Sequence, residues 1–124
     1  MILIGVKMDS RKRKRLERAG WGSGDTADFL LLSDDEARFL QLKLALANGV
    51  RELRERRGLT QMALAERLGS SPSRVAKIEA AHRSVSLDLM MRSLLTIGAT
   101  ASDIAKWIKR SENDRAASRE LSHI

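Results

Sequence analysis

The chain has 124 residues, no cysteine, two histidines, 3% aromatic residues and a formal net charge of +7. That length suits one compact domain with room for flexible ends, and the lack of cysteine excludes a disulfide framework and a thiolate metal site. His82 and His123 lie too far apart to suggest a paired ligand, and no Ser/His/Asp or Cys/His cluster is visible, so the composition argues against an enzyme and asks for no cofactor or metal.

Residues 1–6 are apolar, but the stretch is short and the positive charges follow it, which is the wrong order for a secretory signal. We therefore expect a cytoplasmic protein with no membrane association. Met1 and Met8 are both candidate starts. Residues 1–20 carry seven basic against two acidic side chains, and the run 7–18 has no hydrophobic stripe, so it reads as a flexible basic arm. Residues 21–33 form a second unit: a glycine-rich loop around Trp21, then a short helix over 26–32 presenting Phe29, Leu30 and Leu32. A tryptophan in such a loop either docks on its own domain or marks a partner surface.

Ser33 followed by Glu36 is a capping-box signature and predicts a long helix over 34–57, with Phe39, Leu42, Leu46, Val50 and Leu53 on its buried face and Gly58 as its stop. Asn48-Gly49 is its weak point, where a kink or a split is expected. Thr60, Ser71, Ser86 and Ser102 are the next N-caps, predicting helices over 61–68, 72–80, 87–97 and 103–110. Pro72 suits a first helical turn because its missing N–H would have no intrahelical partner there. Trp107 with Ile104 and Ile108 has the spacing of a packing face, in the core or at a dimer seam. Residues 111–124 read as a polar, frayed tail. Helical spacing throughout makes the fold class all-α, with one domain over 34–110.

Charge is not spread evenly. Residues 49–83 carry eight basic against four acidic side chains, a second positive block after the arm. Such blocks suit a polyanion binder, and they equally suit a solvated basic surface. The run 61–80 discriminates. Two short helices joined by a three-residue turn must cross closely, which needs a very small side chain at the crossing, supplied by Ala65. A positive φ is needed after the first helix, and Gly69 tolerates it. Leu64, Leu68, Val75 and Ile78 close a small core, leaving Ser73, Arg74, Ala76 and Lys77 to face a groove of DNA.

With Leu59-Thr60-Gln61, Leu64-Ala65, Leu68-Gly69, Ser71-Pro72-Ser73 and Ile78-Glu79, the stretch 50–98 resembles the Cro and phage-repressor (XRE) helix-turn-helix family. The resemblance implies a five-helix lambda-repressor-like DNA-binding domain, here with an extended first helix. It implies that Gln61 touches a phosphate, that Pro72, Ser73 and Lys77 face base edges, and that Arg54 pairs with Glu79 as scaffold. Together with Ser71, Arg74 and Arg83 these complete the expected DNA-binding set, while Arg54, Ala65, Gly69, Val75, Ile78 and Glu79 form the motif scaffold. Pro72 replaces a common glutamine, which shifts base reading to Ser73, Arg74 and Lys77. Ala80-Ala81 replaces the usual Asn-Gly and leaves the next loop open.

The basic arm, the Gly-Trp loop with Asp28-Phe29-Leu30 and the run Ser84-Val85-Ser86-Leu87-Asp88-Leu89 together resemble antitoxins of the HigA kind. That resemblance implies an operator-binding homodimer that represses its own operon and neutralises a ribosome-dependent, messenger-RNA-cleaving toxin through Trp21 and Phe29. A stand-alone transcriptional regulator shares every motif residue, and a structural or adaptor protein is the third reading.

Overall fold

The computed structural model describes Lys14, Arg18 and residues 33–122, with side chains described as far as residue 114. Residues 33–122 form five helices: α1 (Asp34–Arg56), α2 (Gln61–Leu68), α3 (Pro72–Glu79), α4 (Leu87–Thr96) and α5 (Ala101–Ser122). The expected short helix over 26–32, with Phe29, and the Trp21 loop lie outside the described residues, as does the arm apart from Lys14 and Arg18, which are helical and exposed.

The first helix is the spine. α3, α4 and α5 all pack against α1, and α2 packs on α3 and α4. Their shared core includes Leu44 and Val50 of α1, Leu64 of α2, Ile78 of α3, Met90 of α4 and Trp107 of α5. Ile104 and Ile108 pack at its edge, so the Trp107 face is used within the fold. Surrounded on several sides, α1 buries Leu40 and every residue from Lys43 to Ala47, not a single stripe. The stripe predicted from Phe39 is therefore displaced at its start. Leu40 and Leu44 point inward, Leu42 is half-buried and Phe39 is 46% exposed.

The predicted break at Asn48-Gly49 does not occur, and α1 runs unbroken through both residues. Gly49 has a different use. A Cβ built on it would lie 2.6 Å from two ring carbons of Trp107, so the missing side chain lets α5 approach α1. At the start of α1 the Glu36 N–H donates to Ser33 Oγ at 3.1 Å, as the capping signature predicts. α5 differs from prediction at both ends. Its cap is Thr100, not Ser102: Asp103 N–H donates to Thr100 Oγ1 at 3.1 Å while the Asp103 carboxylate accepts from Thr100 N–H at 2.9 Å. This reciprocal pair satisfies two free donors at once and outcompetes the lone serine two residues on. The helix then continues to Ser122, past the fraying expected at Ser111.

Candidate nucleic-acid interface

Each short motif helix is held at its start by a hydroxyl. Thr60 Oγ1 accepts from Ala63 N–H at 3.0 Å and Ser71 Oγ accepts from Arg74 N–H at 3.2 Å, each such cap contributing about 1 kcal/mol. Pro72 follows Ser71 at the first helical position, as expected. Between the helices Gly69 adopts φ +64°, ψ +37°. That conformation lets Ser70 N–H reach Ala65 O at 2.8 Å and Gly69 N–H reach Glu66 O at 3.2 Å, which closes α2 and turns the chain into α3. Ala65, 1% exposed, lies in the core at the crossing.

α3 turns Val75, Ile78 and Glu79 inward and leaves Pro72, Ser73, Arg74, Ala76 and Lys77 exposed. Ser71 is exposed beside them, and Arg83 is exposed in the following loop. A shallow groove lined by Ser71, Ser73, Arg74, Lys77, Ser84, Val85 and Leu89 runs between α3 and that loop. Among the described residues, none of Arg74, Lys77 and Arg83 is engaged in an ion pair, whereas Arg38, Arg51, Arg54, Arg56, Arg92 and Arg110 each meet a carboxylate. Cations without an internal counter-charge keep their full attraction for phosphate.

The seat of α3 is an ion pair. Arg54 Nε donates to Glu79 Oε2 at 2.6 Å and Arg54 Nη2 to Glu79 Oε1 at 3.0 Å, a bidentate fork, while Nη1 donates to Leu59 O at 2.8 Å. Both side chains are largely withdrawn from solvent, at 12% and 5% exposure. The hydrogen bond to Glu79 holds the Arg54 guanidinium above its ordinary range, against the pull of desolvation. Gln61 Nε2 donates to the same Glu79 at 3.3 Å, so this expected phosphate contact is half-buried and engaged with the scaffold.

Two features escaped the sequence reading. Ala81, following α3, adopts φ +54° and closes the helix as Gly58, Gly69 and Gly98 close theirs, with Ala81 N–H on Ile78 O and His82 N–H on Lys77 O. An alanine can take this conformation, at a cost of about 1 to 2 kcal/mol. The second is Lys43, 3% exposed, whose ammonium donates to Val85 O and, at 3.4 Å, to His82 O. Its signal was legible as a lysine four residues after Phe39 and three before Leu46, on the predicted inner face.

The family comparison matches this geometry. Residues 50–92 match the helix-turn-helix family model. The matched stretch runs from the last turns of α1 through α2 and α3 into α4, and so contains Arg54, Glu79 and every expected DNA-contacting residue. That match supports a DNA-binding transcriptional regulator. No curated protein and no solved structure matches the chain. Among the described residues no helix is long and apolar enough to cross a membrane, and no group of His, Cys, Asp and Glu could hold a metal ion.

Proposed function

We propose that the chain is a sequence-specific transcriptional repressor that lays α3 in the major groove of an operator and binds as a homodimer. The observation that carries this reading is the outward face of α3, where Arg74 and Lys77 stand exposed beside Ser73 on a helix seated by the Arg54–Glu79 fork. Ser73, Arg74 and Lys77 supply donors to base edges and phosphates, and Ser71 and Arg83 flank them against the backbone. Two copies related by a twofold axis would read half-sites about 34 Å apart. Selection from a random duplex library tests this: an enriched palindrome with that spacing supports the reading, and recovery of unselected sequence opposes it.

A toxin-neutralising role is a second reading, favoured by the sequence outside the helix-turn-helix: the basic stretch 1–20 and the Gly-Trp segment with Trp21 and Phe29. In this reading residues outside the motif cover the toxin while α3 holds the operator. Trp21→Ala is then expected to spare duplex binding and reduce capture of a co-expressed toxin encoded beside this gene. Capture at full strength removes Trp21 from the partner surface. Deleting residues 1–18 is expected to flatten the salt dependence of duplex binding, and an unchanged slope would return that stretch to solubility alone.

A further inference from the structure

Loop 80–86 lines the α3 groove with Ser84 and Val85, carries the exposed Arg83 next to them in sequence, and takes a left-handed turn at Ala81. Its local ties are short-range: Val85 N–H donates to His82 O at 3.0 Å, and Ser84 N–H donates to His82 Nδ1 at 3.1 Å. Ala81 and Val85 seat the loop in the core, and a long-range hydrogen-bonded tie comes from α1. Lys43 crosses from the middle of the spine to the carbonyls of His82 and Val85, which bracket Arg83 and Ser84. A buried ammonium is costly unless its donors are met, and here backbone carbonyls of one loop help to meet them.

We infer that Lys43 is a positioning residue for nucleic-acid binding: by gripping the carbonyls on either side of Arg83 and Ser84, it holds Arg83 at the height of a backbone phosphate beside α3. This rests on the DNA-binding reading and deepens it, since Lys43 lies outside the 50–92 match and, at 3% exposure, acts only through the loop it holds. Burial lowers the pKa of the Lys43 ammonium from its ordinary value, in keeping with a charge held off solvent. A lysine serving only the core would stabilise the fold without changing how many phosphates the loop engages.

The test is a double-mutant cycle on the full chain, read as the slope of log affinity against log salt on a fluorescent mixed-sequence duplex of about three helical turns. Arg83→Ala is expected to reduce the slope by about one. Lys43→Met is expected to do the same, and the double variant to do no more than either alone. Full, additive loss from Arg83→Ala in the Lys43→Met background would overturn the inference. Amide exchange without DNA gives a second readout: Lys43→Met is expected to accelerate Ser84 and Val85 at least tenfold relative to amides of α4, and equal acceleration everywhere would overturn it. Should Lys43→Met not fold, the unaltered chain still decides, because a gripped Lys43 ammonium gives a solvent-protected nitrogen resonance, and one exchanging as fast as Lys106 removes the grip. If the unaltered chain ignores the duplex, the positioning role falls with the DNA-binding reading, and the exchange data alone report whether the grip exists.

Discussion

The indole of Trp107 lies against Gly49 so closely that a Cβ on the glycine would meet ring carbons at 2.6 Å, and Trp107 Nε1 donates to Glu52 Oε2 at 2.9 Å one turn further along α1. The ring cannot retreat without stretching that hydrogen bond or leaving the core, where it is 5% exposed. Gly49→Ala therefore sets about 1 kcal/mol of gained helix propensity against about 1 to 3 kcal/mol of overpacking. We expect net destabilisation of up to about 2 kcal/mol in denaturant melts. A gain in stability would show that the contact is loose.

How much of this was readable in advance depends on whether the decisive contact is local. Caps and stops are local, and Ser33, Thr60, Ser71, Ser86, Gly58, Gly69 and Gly98 stand where their chemistry predicts. The Arg54–Glu79 pair was reached through family resemblance, because nothing in the spacing of two residues on different helices reveals a fork. Gly49 was misread for the same reason: its sequence neighbours suggest a weak helix, and only α5, far along the chain, explains it. Phe39 failed because a single stripe was assumed for a helix that three others touch. The spacing of Lys43 puts it on the inner face, but its partners are backbone carbonyls, which no residue pattern announces.

Removing one partner of the fork is expected to have a larger effect than removing both. Glu79→Ala would leave Arg54, 12% exposed, with only the looser Glu55 carboxylate at 3.8 Å, itself largely in solvent, and a loss of about 3 kcal/mol is expected. Replacing both, with Arg54→Met and Glu79→Leu, is expected to restore much of that stability, since no buried charge remains. Thermal melts of the three chains check this, and equal losses would mean the fork does not govern the seat of α3.

The end of α3 is strained. Ala81→Gly relieves about 1 to 2 kcal/mol of left-handed strain and loses about 0.8 kcal/mol of buried methyl, so stability within about 1 kcal/mol of the parent chain is expected. Ala81→Val has no such offset, because Ala81 is 0% exposed at φ +54° and a branched side chain has neither the backbone freedom nor the room. A loss above about 2 kcal/mol is expected in denaturant melts. A well-tolerated valine would contradict the strain.

Stability toward acid carries the mark of the α5 cap. Hydrogen bonds from the Thr100 backbone and side chain hold the Asp103 carboxyl below the usual carboxylate range. Its folded value lies below its unfolded one, so the unfolded chain takes up the proton first as pH falls. The contribution is therefore present above the unfolded value, about pH 4, and is lost as pH drops through the folded value. Asp103→Asn is expected to lower the melting temperature at neutral pH and to flatten its decline in acid. An unaltered acid decline would mean that the cap does not titrate with folding.

The central claim is that the exposed cations of α3 meet DNA, and the direct measurement is duplex affinity for the parent chain, Lys77→Ala and Arg74→Ala, taken at several salt concentrations beside a thermal melt. The expected result is salt-dependent binding by the parent and a loss of about 1 to 3 kcal/mol for Lys77→Ala with the melt unmoved, restricted to particular sequences if Lys77 reads a base edge and uniform if it meets a phosphate. Parent protein that ignores duplex at moderate ionic strength, or variants that bind as the parent does, would contradict it.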